Sequence, residues 1–293
     1  MHHGHFNALR QAKQLFYQKG FRRVVLVACL HSDETISQQK GPPLMNDIER
    51  LACLKATKWV DEIVTGLPYI AMTPAIADRF SARFICHGDD LPVIRGSGNA
   101  MYTQAMDEGR FQLLRRTEGV STTQILQRLI QQMQSIEDSG LGGRALLPPS
   151  STPCTGWRLA QFGAPPDPWL VRRSCQTATT VVYVCGVFDL LHIGQLSFLE
   201  KAANHGDFLL VGIYSDELAT ASGWPRPALS MLERAMALLS LSVVDDVVLD
   251  APLEETRDFL QSFNISKLVL GQKPKQNASE RKTRVQSQHH VAR

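Results

Sequence analysis

The sequence predicts an α/β protein made of two tandem domains with doubly wound parallel sheets. Its 293 residues are about the length of two domains, and a series of motifs recurs in the same order in both halves. Short β-branched apolar runs alternate with segments of helical spacing, as in parallel sheets that helices cover on both faces. Apolar residues make up 44% and charged residues 20%, which is typical of folded rather than disordered proteins.

In the first half, a helix is predicted at the amino terminus and a strand after it. Phe6, Leu9 and Phe16 follow helical spacing, and residues 24–29 form the next apolar run. The first domain is expected to cover residues 1–138.

The second half repeats this order but has an additional strand in front. Residues 181–184 form a β-branched run, and Leu196, Leu199 and Ala203 then follow helical spacing. This domain is expected to cover residues 181–272.

A segment rich in Gly, Pro and Ser, residues 139–180, separates the two domains and is predicted to be a linker. Trp157 and Trp169 lie within it, which indicates that parts of the linker dock onto a domain. The polar and basic residues 273–293 are predicted to form a disordered tail.

Charge and cysteine content exclude several classes of protein. The net charge of +3 is too small to favour a nucleic-acid binder. The longest apolar run, residues 24–30, is far below the roughly 20 residues of a membrane span, and no signal peptide precedes it. At most a peripheral association with membranes is expected. The six cysteines show no CxxC spacing and are interpreted as free thiols in a reducing, cytoplasmic compartment.

The strongest local motif for chemistry is a strand, a glycine and a His-x-Gly at the start of a helix, in residues 181–194. This arrangement brings an imidazole and free backbone N–H groups to a place where a phosphate can lie. In the first half, His2 and His5 are separated by two residues, His3 and Gly4, and can both donate to phosphate oxygens. Phosphoryl and nucleotidyl transfer depend mainly on such positioning and charge stabilisation.

Residues 2–5 (HHGH) and residues 116–123 (RTEGVSTT) resemble the HxGH and RTxGxST motifs of the cytidylyltransferase branch of the HxGH nucleotidyltransferases. The tandem arrangement, together with residues 40–43, 58–62 and 87–90, is most similar to the members of that branch that act on ethanolamine phosphate. The resemblance implies two tandem Rossmann-like nucleotidyltransferase domains.

The activity that the resemblance implies is transfer of CMP from CTP to phosphoethanolamine, which gives CDP-ethanolamine and pyrophosphate in phosphatidylethanolamine synthesis. Mg²⁺ would be the cofactor and would travel on the triphosphate of CTP, so no metal site built by the protein is expected. CTP and phosphoethanolamine are the expected partners, and the two repeats are expected to pack against each other. Whether two chains form a homodimer is left open.

Site residues follow by position in the same motifs. Catalytic roles are predicted for His2, His5, Lys40 and Arg116. Nucleotide-binding roles are predicted for Arg50, Trp59, Asp89, Thr117, Gly119, Ser121, Thr122 and Thr123. A vestigial nucleotide site is predicted in the second domain at Val187, Phe188, His192, Gln195 and Gly271. Trp59 fits either the wall of a pocket or the core.

Both repeats depart from the family pattern. The first begins at its HxGH motif, so it is predicted to lack the N-terminal strand of its sheet. The second has Gln195 in place of the second histidine and Ser222 in place of Lys40, which removes positive charge from the phosphate site. No RTxGxST motif follows Gly271, so the second domain is predicted to be truncated at its C-terminus and catalytically inactive.

Two alternatives follow from these departures. The chain could be a catalytically impaired paralogue that binds nucleotide or serves as a scaffold. It could also be a cytidylyltransferase with a different phosphorylated acceptor, because the acceptor follows from the resemblance and not from the physical chemistry of the residues.

Overall fold

The structure is a computed structural model, and it describes residues 1–67, 69, 73–89, 100–138 and 155–271. The elements of the first repeat are α1 (His3–Gln18), β1 (Val27–Leu30), α2 (Asp33–Lys40), α3 (Asp47–Ala56), β2 (Glu62–Thr65), α4 (Pro74–Arg79), β3 (Ile85–Gly88), α5 (Ala100–Asp107), β4 (Phe111–Leu114) and α6 (Thr122–Asp138). Helix α7 (Thr155–Gly163) lies between the repeats. The second repeat contains β5 (Val181–Gly186), α8 (Ile193–Ala203), β6 (Phe208–Ile213), α9 (Asp216–Ala221), α10 (Met231–Leu239), β7 (Asp246–Leu249), α11 (Arg257–Ser262) and β8 (Ile265–Leu268).

The second repeat has one four-stranded parallel sheet in the order β7-β6-β5-β8. Strand β5 is central, and β6 is buried along its whole length. These strands are continuous apolar runs because helices cover both faces of the sheet. The predicted α/β class with parallel sheets is confirmed.

The first repeat has two separate two-stranded parallel sheets, β1-β2 and β3-β4. By their sequence markers, β1, β2 and β3 correspond to β6, β7 and β8. Among the described residues, no strand takes the central place that β5 has in the second repeat. One consequence is visible at Cys29. It is exposed, whereas its counterpart Gly212 lies directly beneath the Tyr183 hydroxyl.

The two repeats meet around an approximate two-fold axis. Thr57 and Leu241, which are equivalent positions, form an antiparallel bridge. The amide of Lys58 donates to the carbonyl of Ser240 at 3.0 Å, and the amide of Ser242 donates to the carbonyl of Ala56 at 2.8 Å. Helix α1 packs on α10, and helix α3 packs on α8. Because α8 is the counterpart of α1 and α10 is the counterpart of α3, these two contacts are equivalent. This isologous contact is an intramolecular version of a two-fold dimer interface.

One apolar core crosses this interface. It contains Phe6, Cys53 and Trp59 from the first repeat, together with residues on β5, β6, α8 and α10 from the second. Phe162 on α7 is buried in the same core. The expected packing of the two repeats against each other is therefore confirmed.

The predicted linker is structured over the part that the structure describes. Besides α7, Asp167 accepts from the Tyr17 hydroxyl and lies 3.6 Å from the Lys13 ammonium. Trp169 makes an edge contact with the Tyr17 ring, as the docking hypothesis expected. Residues 139–154 and the predicted tail lie outside the described residues.

Lys58 is a partly buried cation at this interface. Its ammonium donates to the carbonyl of Phe162 and lies 5.2 Å from the centre of the Trp59 ring. Burial, with a smaller effect of Arg172, lowers the pKa of Lys58 from 10.5 to about 8.

Stability is therefore expected to depend on the titration of Lys58. Between pH 8 and 10.5 the unfolded chain binds a proton that the folded protein does not, so the free energy of unfolding should rise with pH, by at most about 3 kcal/mol. Urea unfolding at several pH values checks this, with Lys58→Met as the reference because it lacks the titrating group. Parallel pH profiles for the two proteins would contradict the assignment.

Candidate active site

Two histidines cap the amino terminus of α1. The Nδ1 atom of His2 accepts from the amide of Gly4 at 3.2 Å, and the Nδ1 atom of His5 accepts from the amide of His2 at 3.3 Å. This is a capping box built from imidazoles, and the ring centres are 3.9 Å apart. Because both Nδ1 atoms are acceptors, the ring protons of the neutral tautomers are assigned to Nε2. The pair can thus offer two Nε2–H donors beside the positive end of a helix dipole.

His2 is neutral at physiological pH. Burial, followed by the nearby imidazoles of His5 and His3, the terminal amine and Arg116, lowers the pKa of His2 to about 2. His2 therefore acts as an uncharged N–H donor and not as an imidazolium.

The segment that joins β4 to α6 and includes the first two residues of α6 is here called the signature loop (residues 116–123). It borders a cavity of about 480 Å³. The cavity is lined by Asp89, Arg115, Arg116, Thr117, Glu118, Gly119, Val120, Ser121, Thr123 and Gln124. Asp89 holds the loop at its start, since its carboxylate accepts from the amide of Arg116 at 3.2 Å. Ser121 caps α6 by accepting from the amide of Gln124 at 3.1 Å. The 17-residue helix α6 thus begins at this cavity.

Side chains on α1 fix the histidine pair relative to the signature loop. The Asn7 amide donates to the Thr117 hydroxyl at 2.9 Å, and the Gln11 amide donates to the carbonyl of Arg115 at 2.9 Å. A Cβ atom on Gly4 would lie only 2.9 Å from a methyl group of Val120, so the loop approaches the helix where a side chain would not fit. The imidazoles and the arginine-led loop therefore form one unit.

A family model supplies the comparison that decides the classification. The model described as cytidylyltransferase-like matches residues 1–128 and again residues 183–291, so it covers both repeats. The chain belongs to the cytidylyltransferase-like family.

Curated relatives within this family match the chain across both repeats. The ethanolamine-phosphate cytidylyltransferase of Dictyostelium discoideum is 35% identical over 92% of the chain and 76% of its own length. The protein of the same name from Arabidopsis thaliana is 36% identical over 92% of the chain and 67% of its own length. A probable choline-phosphate cytidylyltransferase of Schizosaccharomyces pombe is 35% identical but matches only 44% of the chain and 34% of its own length.

Most of the predicted site residues lie together. Asp89, Arg116, Thr117, Gly119, Ser121 and Thr123 line one cavity. His2 and His5 are fixed beside it through α1, and Thr122 is the first residue of α6. Lys40 is the last residue of α2, and its side chain lies outside the described parts of the structure. The catalytic roles of His2, His5, Lys40 and Arg116 stay predictions.

Arg50, a predicted nucleotide-binding residue, has structural contacts within the first repeat. The Arg50 guanidinium lies 2.5 Å from the Asp33 carboxylate and donates to the carbonyl of Met45 at 3.2 Å. Its counterpart Arg234 pairs in the same way with Asp216 at 2.6 Å, so both arginines hold neighbouring helices together. Nucleotide binding by Arg50 stays a prediction.

Trp59 is corrected from a nucleotide-binding residue to a core residue. Its side chain is 0% exposed and meets the Phe162 ring edge-on at 5.6 Å, so it cannot border the cavity. The signal in the sequence was its counterpart Val243, an apolar residue at the same place in the repeat.

The second repeat of this cytidylyltransferase-like chain retains the capping geometry without the second imidazole. The Nδ1 atom of His192 accepts from the amide of Gly194 at 3.1 Å, and the Oε1 atom of Gln195 accepts from the amide of His192 at 3.3 Å. The motif thus still begins a helix.

Two residues of the predicted vestigial nucleotide site, Val187 and Phe188, have other contacts in the structure. Phe188 is 7% exposed within the core and packs over Gly186, so its ring is not free to stack on a base. The carbonyl of Val187 accepts from Arg234, while Gly271 is exposed at the end of the described chain. Nucleotide binding by His192, Gln195 and Gly271 stays a prediction.

Sequence reasoning missed the residues that hold the site together. Asn7 and Gln11 lie on the polar face of an amphipathic helix, and nothing in their spacing indicates a partner about 100 residues away. Arg128 on α6 is a third such residue, and its contacts cross to the second repeat.

Proposed function

We propose that the chain transfers CMP from CTP to phosphoethanolamine, giving CDP-ethanolamine and pyrophosphate in phosphatidylethanolamine synthesis. One observation carries the proposal. Two imidazole donors at the start of α1 are held against an arginine-led Ser/Thr loop that borders a cavity. The names of the relatives that match both repeats supply the substrates.

The chain's own groups act by binding and by stabilising charge. A phosphate oxygen of the acceptor attacks the α-phosphorus of CTP in line, a new P–O bond forms, and the bond to the bridging oxygen breaks so that pyrophosphate leaves. The Nε2–H groups of His2 and His5 donate to phosphate oxygens as negative charge shifts towards the leaving group. The Arg116 guanidinium and the amides at the start of α6 hold the triphosphate. No covalent intermediate with the protein is needed.

Magnesium fits this site as an ion carried by the substrate. Within the parts of the chain that the structure describes, no group of three or more His, Cys, Asp or Glu side chains could hold a metal ion. Mg²⁺ is usually held by one or two carboxylates plus phosphate oxygens, and Asp89 and Glu118 are the carboxylates that line the cavity. When bound, the ion would neutralise phosphate charge.

A second candidate function is a nucleotide-binding scaffold without turnover. The observation that favours it is the division of the first repeat's described strands into two sheets, which leaves the carboxyl ends of β1 and β3 without the strand that joins β6 and β8 in the second repeat.

A transfer assay separates these candidates. The purified chain is incubated with Mg²⁺, CTP and phosphoethanolamine, phosphocholine or glycerol 3-phosphate, and CDP-product and pyrophosphate are quantified. We expect product with phosphoethanolamine at a kcat/KM well above that for the other acceptors. Turnover with another acceptor alone would replace the acceptor assignment. Binding of CTP by calorimetry without turnover would support the scaffold.

Location and assembly belong to the same proposal. None of the helices within the described ranges is long and apolar enough to cross a membrane. The cysteines that the structure describes are free thiols, which supports a cytoplasmic location. A homodimer stays a prediction.

A further inference from the structure

The signature loop of the first repeat is packed against the second repeat. Val120 and Ile125 are buried with Leu229 in a small apolar cluster of their own. Val120 therefore lies close to Gly4 of the histidine motif and also belongs to the same apolar cluster as Leu229 of the second repeat. A displacement of Leu229 would reach the loop directly.

Arg128, one turn further along α6, makes a polar connection between the same elements. Its guanidinium donates to the carbonyl of Gly119 at 3.2 Å, to the carbonyl of Ala228 at 3.4 Å and to the Glu233 carboxylate at 2.8 Å. One planar group thus joins the signature loop to a loop and a helix of the second repeat. The guanidinium has several N–H donors in one plane and can bind all three acceptors, whereas a lysine ammonium could bind only some of them.

The second repeat holds its side of this contact rigidly. Glu233 is the N3 residue of a capping box on α10 and accepts from the amide of Ser230 at 2.8 Å. The Asp189 carboxylate accepts from the amides of Ala228 and Leu229 at 2.7 and 3.1 Å. The supporting loop is therefore anchored to the segment that precedes His192.

Within the described residues, this support runs from the second repeat to the first. Leu229 and Glu233 correspond to Met45 and Glu49 of the first repeat, and Glu49 also closes a capping box. In the described part of the second repeat, no counterpart of the signature loop and α6 meets Met45 and Glu49.

We propose that the second repeat positions the nucleotide loop of the first, with Arg128 and Glu233 as the positioning residues. The proposal rests on the proposed function, because CTP is the ligand that the loop would close on. Without these contacts, only a fraction of the molecules holds the loop in the conformation that binds CTP. The apparent affinity for CTP is then the intrinsic affinity multiplied by that fraction. Bound CTP restores the same loop, so turnover at saturation is retained.

Steady-state kinetics of the full chain test this. Arg128→Gln is expected to raise KM for CTP roughly tenfold with kcat within about twofold of the original, since single substitutions along such contacts change coupling by this order. Glu233→Gln should raise KM for CTP in the same way, because it removes the carboxylate that pairs with Arg128. Glutamine still closes the capping box, so α10 should be preserved. The double variant should be no worse than either single one, and Arg128→Lys should recover part of the loss.

Matched controls exist in the chain. Arg110 also donates to one carboxylate and two carbonyls, those of Asp78, Arg83 and Ala82, away from the cavity. Arg110→Gln and Glu49→Gln are expected to leave KM for CTP unchanged.

Three outcomes would overturn the positioning role. They are unchanged KM in both Arg128→Gln and Glu233→Gln, an equal rise in the two control variants, or a loss confined to kcat. If the unaltered chain does not turn over CTP, the proposed function fails. Calorimetric CTP affinities of the same variants then test the positioning role separately.

Discussion

Replacing His5 by Gln is expected to lower kcat by about 100- to 1000-fold, the usual loss when one pre-organised donor to a developing oxyanion is removed. The second repeat shows why this substitution isolates the chemistry. Gln195 at the equivalent position keeps the capping box intact, so His5→Gln should preserve α1 while replacing the imidazole Nε2–H with an amide N–H in a different position. Initial-rate kinetics at saturating CTP and phosphoethanolamine measure the effect.

The control for His5 lies in the other repeat. Gln195→Ala removes a capping side chain at the corresponding place and is expected to leave kcat within about twofold, because that repeat is predicted not to turn over. Circular dichroism should show both variants folded. Full activity in a folded His5→Gln protein would place the phosphate donors elsewhere.

Trp59→Ala is expected to lower the free energy of unfolding by about 3–5 kcal/mol. The indole is completely buried in the core that both repeats share, and its removal leaves a cavity between Phe162 and the surrounding apolar side chains. Since that core crosses the interface, both repeats should lose stability in a single urea transition. Unfolding followed by circular dichroism measures this.

Trp169→Ala provides the comparison for the same residue type. Trp169 is 56% exposed and has an edge contact with Tyr17, so its removal should change stability by about 0.5 kcal/mol or less. Two separate transitions, or equal losses in both variants, would contradict a shared core.

Much of the fold could be predicted because the chain contains its own comparison. Pairing residues 60–64 with residues 244–248 located strands β2 and β7, and the apolar run at the start of the second repeat gave the central strand β5. The same alignment finds no counterpart of β5 among the described residues of the first repeat. Local periodicity and repeated order suffice for such elements.

The site could be predicted where its residues lie in continuous motifs. The signature loop and the histidine pair each occupy a few consecutive residues, so their local geometry follows from capping rules. Trp59 was misassigned, and the Asp33 partner of Arg50 was not predicted, because these contacts depend on residues distant in the sequence or in the other repeat. A guanidinium beside a phosphate and one beside Asp33 look the same in a sequence.

Helix α7 and the interface lay beyond sequence reasoning for a related reason. The Gly, Pro and Ser content of residues 139–180 favours a linker without regular structure. Burial of Phe162 in the core of the two repeats stabilises helix α7 by more than this local preference disfavours it. Polar contacts such as Arg128 with Glu233 join segments about 100 residues apart, and no spacing rule connects them.

The bridge between Thr57 and Leu241 joins each residue to its own counterpart, as across the axis of a symmetric pair of separate molecules. Separate molecules held in this way part on dilution, whereas halves of one polypeptide meet at an effective concentration of roughly millimolar order whatever the amount of protein. Because the covalent connection keeps the two repeats together, their sequences can differ without loss of the contact. One half can keep the pair of imidazoles while the other carries Gln195 in place of the second one.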